Sequence, residues 1–183
     1  TIVRDVANAV QYSYENGILH RDIKPGNILL FPQPSRKDDR FPFVPRLGDF
    51  GLAKLLESGQ QDSMASQLIG TPAYMAPELV NGTGKAGSVA PDVYALGAVL
   101  YCLVIGHAPF LSNTVAETLR KVMEHDPVAP TVTNPYVGSD LSLICMKCLQ
   151  KTPEQRYTTP AELAEDLNRY LTGEPVRARR TSI

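Results

Sequence analysis

The chain has 183 residues, enough for one domain with a sizeable core. Hydrophobic residues make up 43% and charged residues 20%, with a net charge of −1, so composition gives no reason to propose nucleic acid or an anionic membrane surface as a main partner. Three cysteines make no disulfide framework, no secretory leader is legible, and the longest apolar run, Val93 to Ile105, is too short to span a bilayer.

In chain order, residues 2–16 are predicted as a helix. Val3, Val6 and Val10 recur at helical spacing, and Asn16-Gly17 is a stop signal. The first residue is a Thr inside this pattern, so the chain reads as an excerpt or a truncated reading frame. Ile28 to Phe31 is predicted as a short strand. Residues 32–46 hold four prolines and six charged residues and read as a solvated insertion, with a strand returning over Arg46 to Asp49. Residues 52–75 are polar and Ser-rich, without a period. Pro77 suits the first turn of a short helix. Asp92 to Ile105, apolar nearly all round, is expected to be a central buried helix. Val115, Leu119, Val122 and Met123 mark an amphipathic helix, followed by a Pro-rich loop from Asp126 to Pro135. A helix over 140–150 places Leu141, Ile144, Cys145, Cys148 and Leu149 on one apolar stripe. The two thiols of Cys145-x-x-Cys148 therefore read as small core residues and not as metal ligands. Thr159-Pro160-Ala161-Glu162 forms a capping box for a last helix, with Leu163, Leu167, Tyr170 and Leu171 on one face and Gly173 as its stop. Arg177, Arg179 and Arg180 read as a solvated basic tail. The whole is one mostly helical domain.

Three ordered motifs carry chemistry. The first is His20-Arg21-Asp22-Ile23-Lys24-Pro25-Gly26-Asn27, between the first helix and the first strand. The second is Asp49-Phe50-Gly51. The third is Gly70-Thr71-Pro72-Ala73-Tyr74-Met75-Ala76-Pro77-Glu78. An acid, a cation and a carboxamide within six residues suit phosphoryl transfer, which is mostly positioning plus neutralisation of charge. Asp22 can orient an alcohol and take its proton. Lys24 can offset the developing negative charge. Any one triplet is a common turn sequence; the ordered set is not.

This set resembles the catalytic loop, metal-binding loop and substrate-docking loop of protein kinases, and nearly the whole chain is similar to the large, C-terminal lobe of the bacterial-type Ser/Thr branch. The resemblance implies a mainly α fold: helices around a buried central helix, with a short β-hairpin at the active site. It implies residues 1–173 as the lobe and 174–183 as a basic tail or linker. It implies ATP and Mg2+ as cofactors, a protein substrate, Asp22, Lys24 and Asn27 as catalytic residues, and Asn27 and Asp49 as metal ligands. Leu29 would pack under the adenine, with Asp49 also serving the nucleotide. His20, Arg21, Phe50, Gly51 and Thr71 would shape the loops. Asp92 would accept hydrogen bonds from the catalytic-loop backbone, and Tyr94 stands where the family more often has Trp. Glu78 and Arg156 would form a buried ion pair bracing the docking loop. Arg21 beside the acid implies activation by phosphorylation, with Ser58, Ser63 and Ser66 as candidate sites.

The departures matter too. The glycine-rich loop, strand lysine and helix glutamate that grip ATP phosphates in kinases are not in this sequence. The N-terminal lobe is thus an expected partner of this segment, supplied by the parent chain. The chain alone is expected to hold ATP poorly and to be inactive. The resemblance places the lobe in the cytoplasm, with any membrane anchor outside this segment. The rival reading is a non-catalytic binding module, a truncated remnant or pseudokinase. The intact set of Asp22, Lys24, Asn27 and Asp49 argues against the pseudokinase form.

Overall fold

The structure is a computed structural model that describes residues 1–33, 42–50 and 72–178. Helix α1 spans Ile2–Glu15 and buries Val3, Val6, Ala7 and Val10. It ends as its sequence requires. Gly17 takes φ 75°, a left-handed conformation that costs glycine little. That turn sends the Ile18 N–H to the Ser13 carbonyl at 2.9 Å and the Gly17 N–H to the Tyr14 carbonyl at 2.9 Å, capping the last turn. The chain then runs through a loop and a 3₁₀ turn at Pro25–Asn27 into strand β1, Ile28–Pro32.

Strand β2, Phe43–Leu47, pairs antiparallel with β1 in the register Ile28↔Leu47, Leu29↔Arg46, Leu30↔Pro45. It therefore starts three residues before the predicted strand, inside the segment read as loop. A two-stranded hairpin has only edges, so Pro45 can occupy a strand position without breaking a ladder on its other side. One face of the hairpin, with Ile28 and Leu47, packs on the helical core. The other carries Leu29 at 52%, Phe31 at 42% and Val44 at 37% exposure.

The remaining α-helices among the described residues are α2 (Pro77–Val80), α3 (Ala90–Ile105), α4 (Val115–Glu124), α5 (Pro130–Thr133), α6 (Ser139–Cys148) and α7 (Pro160–Thr172). Helix α5 lies within the segment read as a Pro-rich loop; Pro130 at its first position is pre-set for a helical turn. On α4 the buried residues are Thr118 and Val122, while Val115 and Met123 are 40% and 41% exposed. Helix α7 begins with Thr159 accepting the Glu162 N–H at 3.2 Å, as the capping box predicts, but the Glu162 carboxylate reaches one residue further back, to the Thr158 N–H at 2.9 Å.

Helix α3 is the axis of the molecule: every residue from Pro91 to Tyr101 is buried. Around it pack α1, α6 and α7, closing a core that includes Val6, Val10, Leu96, Ile144 and Leu163. Cys145 and Cys148 are buried free thiols in this core, and burial pushes both thiols up from their usual range. The crossing of α3 and α6 depends on Gly97. A Cβ there would collide with the Cβ of Cys148 and come within 3.4 Å of its backbone. Gly97→Ala is therefore expected to force the helices apart at a cost of about 1–3 kcal/mol or more, despite the higher helix propensity of alanine. Denaturant unfolding checks this; an unchanged or raised midpoint would mean the crossing relaxes freely.

Residues 174–178, read from the sequence as the start of a tail, run back along α7. Asp166, 1% exposed, accepts the Arg177 N–H at 2.5 Å, the Ala178 N–H at 2.8 Å and the Tyr157 hydroxyl at 2.6 Å. No helix among the described residues is long and apolar enough to cross a membrane.

Candidate active site

The loop after α1 is held by a residue far along the chain. Asp92, at the start of α3 and 1% exposed, accepts the His20 N–H at 2.9 Å on one carboxylate oxygen and the Arg21 N–H at 2.7 Å on the other. Burial raises the Asp92 carboxyl above its usual range, and these two N–H bonds oppose that shift. Arg21 has φ 60°, a left-handed conformation unusual for a side chain of its size. The forked acceptor beneath it holds that kink in place.

His20 links this loop to the end of the hairpin. Its Nε2 lies 2.8 Å from the Gly48 carbonyl, and its Nδ1 is 3.3 Å from the Asp22 N–H. A carbonyl can only accept and an amide N–H can only donate, so the hydrogen sits on Nε2. The His20 ring also meets Phe50 edge-on, with centroids 4.7 Å apart. Gly48 itself has no steric need to be glycine, since an added Cβ would meet the Asn27 carbonyl at 3.7 Å and the Leu29 side chain at 3.9 Å.

Asp22, Lys24 and Asn27 form one cluster. Asp22 Oδ2 accepts from Lys24 Nζ at 2.7 Å and from Asn27 Nδ2 at 3.1 Å, and Asn27 Nδ2 also donates to the Asp22 carbonyl at 2.8 Å. Both acceptors fix the orientation of the Asn27 amide: its nitrogen is committed to Asp22, which leaves the amide oxygen for a cation. Among the described residues, both side-chain contacts on Asp22 fall on Oδ2, which leaves Oδ1 to accept a hydroxyl. Asp22 and Asn27 are 8% and 5% exposed, so their dipoles are little screened by water.

The hairpin register brings the metal candidates to one end of the sheet. The Gly48 N–H donates to the Asn27 carbonyl at 2.8 Å, extending the Ile28↔Leu47 pairing by one step. Asp49 is the next residue, exposed and turned by φ 58°. Asn27 and Asp49 together supply oxygen ligands only, which fits magnesium shared with phosphates. No group of three or more His, Cys, Asp or Glu among the described residues could hold a metal by itself. Gly51, Thr71, Ser58, Ser63 and Ser66 lie outside the described residues.

Glu78 and Arg156 also meet. Arg156 Nη1 and Nη2 donate to the two Glu78 oxygens at 2.6 and 2.7 Å, a bidentate pair. The guanidinium further donates to the carbonyls of Ala90, Gln150 and Lys151 at 3.0, 2.8 and 3.0 Å. It lies over the Tyr94 ring, 5.0 Å from the centroid. The Tyr94 hydroxyl is buried with no hydrogen-bond partner among the described residues. Gly97 and Asp166 were not legible as key positions: nothing in the local pattern marks a glycine as a helix crossing or an aspartate as an acceptor for a returning backbone.

The sequence profile of the protein kinase domain family matches residues 1–167. The chain is 34% identical over 178 residues to the serine/threonine-protein kinase PknB of Mycobacterium tuberculosis, covering 97% of this chain and 27% of that protein. The PknB of Mycobacterium leprae is 33% identical over 177 residues, with the same 97% and 27% coverage. The serine/threonine-protein kinase Pkn1 of Myxococcus xanthus is 37% identical over 161 residues, covering 88% of this chain and 22% of that protein. The chain thus spans about a quarter of the length of these curated relatives. A match over nearly the whole chain, and a loop that gathers acid, lysine and asparagine around one carboxylate, place it in one group: the chain belongs to the protein kinase family.

Proposed function

We propose that this chain is the catalytic-loop lobe of an ATP-dependent kinase that phosphorylates Ser and Thr side chains of protein substrates. The observation that carries this is the Asp22–Lys24–Asn27 cluster. Asp22 Oδ1 would receive the substrate hydroxyl, orient it and take its proton as the hydroxyl oxygen bonds to the terminal phosphorus of ATP and the bond from that phosphorus to ADP breaks, ADP leaving with the electron pair. Lys24, held 2.7 Å from Asp22, offsets charge on the moving phosphoryl group. Asn27 and Asp49 would hold magnesium, which supplies charge neutralisation across the ATP phosphates when bound. The outer face of the hairpin, with Leu29, receives the adenine, and His20 keeps the hairpin end and the loop in register. In the same reading residues 1–173 form the lobe, the Glu78–Arg156 pair braces the docking loop, and Arg21 pairs with a phosphate placed on Ser58, Ser63 or Ser66. The lobe works in the cytoplasm on a protein substrate.

The metal assignment is tested by Asp49→Ala in a protein that carries a glycine-rich lobe ahead of Thr1. Magnesium-dependent ATP binding is expected to be lost, because one amide oxygen cannot replace a carboxylate as the main ligand. Calorimetric titration with and without magnesium checks it. Unchanged ATP–magnesium affinity would remove Asp49 from the site.

A further inference from the structure

The segment after α7 lies beyond residues 1–167, the part of the chain that the family profile matches, yet it is tied down residue by residue. The Glu174 N–H donates to the Arg169 carbonyl at 2.8 Å, and Arg169 Nε donates to the Pro175 carbonyl at 2.7 Å. Val176 packs against the core, and Ala178 is inside it. The Arg177 guanidinium meets Glu165 at 2.8 Å. Asp166 receives the backbone N–H groups of Arg177 and Ala178, and its third donor is the Tyr157 hydroxyl. All three donors are neutral, so among the described residues the charge of this buried carboxylate is met by hydrogen bonds alone. Tyr157 is in turn next to Arg156. Arg156 is extended, with φ −79° and ψ −175°, so the two successive side chains leave the backbone on opposite sides. One reaches Asp166 and the other reaches Glu78, with no residue between them to take up slack. The Tyr157 ring is buried and carries the Lys147 ammonium 4.3 Å from its centroid, so it is confined on a second side as well.

We propose that residues 174–178 are a latch for the Glu78–Arg156 pair. Seated, the segment satisfies Asp166 and fixes the Tyr157 hydroxyl. Released, it leaves a buried carboxylate with one donor out of three. That carboxylate turns towards water, the Tyr157 hydroxyl loses its acceptor, and the backbone that presents Arg156 to Glu78 loosens. The latch has two discrete arrangements, which is what coupling between separated sites requires. A partner that captured residues 174–178 as an extended strand would therefore soften α2, on the far side of the ion pair. What a softened α2 does to a substrate rests on the proposed kinase function; the coupling itself does not, and it is read without phosphotransfer.

Hydrogen exchange of the 183-residue chain, followed amide by amide, tests this. In the unsubstituted chain the Ala178 N–H is expected to be protected. Arg177→Pro removes one of the two backbone donors to Asp166 together with the Glu165 ion pair. It is expected to speed exchange roughly tenfold at Ala178 and at Leu79, Asn81 and Gly84, whose N–H groups bond within and just after α2, while residues 93–100 of α3 are unchanged. Tyr157→Phe keeps both backbone donors on Asp166 and deletes only the link. It is expected to speed the same α2 amides while Ala178 stays protected. An unprotected Ala178 in the unsubstituted chain would overturn the proposal. So would unchanged α2 exchange in either variant, or an acceleration spread evenly into α3, which marks general loss of stability and not a latch.

Discussion

Asp22→Asn is expected to leave the fold intact and to lower phosphotransfer by roughly 10²–10⁴ in a protein that carries a glycine-rich lobe ahead of Thr1. Asp22 Oδ2 accepts from both Lys24 and Asn27, at 2.7 and 3.1 Å. The oxygen of an introduced amide can keep both bonds, so the loop has no reason to move. The amide nitrogen then occupies the place of Oδ1, where it donates and cannot take a proton. Steady-state rates with a Ser or Thr peptide check this, with circular dichroism as the folding control. Turnover near that of the parent would remove Asp22 from the mechanism. Residues 1–183 alone are expected to show no phosphotransfer, since nothing in this sequence supplies the glycine-rich grip on the phosphates. Autophosphorylation by the purified chain, lost on Asp22→Asn, would show that grip to be dispensable.

Removal of either member of the Glu78–Arg156 pair is expected to cost roughly 3–5 kcal/mol of stability. Arg156 is 3% exposed and Glu78 7%, so each lone survivor would be a buried charge without its counter-ion. The two losses are not equivalent. Glu78→Ala leaves a guanidinium that still donates to the carbonyls of Ala90, Gln150 and Lys151. Arg156→Ala strips three carbonyls and a carboxylate of their donors at once, so it is expected to be the more severe. The double mutant is expected to fall well short of the sum, because the second removal relieves the charge that the first exposed. Urea unfolding of the four proteins of the cycle measures this. Full additivity would mean that the pair is not coupled.

Local chemistry decided a large part of the fold. The left-handed turn at Gly17 and the cap at Thr159 use groups within a few residues of each other, and both are placed where the sequence puts them. The unbroken apolar character of 93–105 called for a buried helix, and α3 is buried on every side as far as Tyr101, with Leu103 in its last turn 52% exposed. The order of the three motifs carried the family resemblance, which nominated the acid, the lysine and the two candidate metal ligands. A residue type at a fixed offset from another is information carried along the chain.

Other features needed the folded molecule, because they arise between segments far apart in sequence. Kinase resemblance nominated Asp92 as a partner of the catalytic loop, but its grip on two successive N–H groups exists only once α3 lies under that loop. Asn27 and Asp49 come to the same end of the hairpin because it pairs Ile28 with Leu47, and that register begins at Phe43, within residues whose prolines read as loop. Gly97 matters only because α6 crosses α3 at Cys148. Asp166 matters only because residues 174–178 return to it with backbone donors, which no side-chain pattern advertises. Helix ends and apolar stripes are set by neighbours in sequence. Close approach, ladder register and the filling of a buried acceptor are set by distance in space, and only packing decides them.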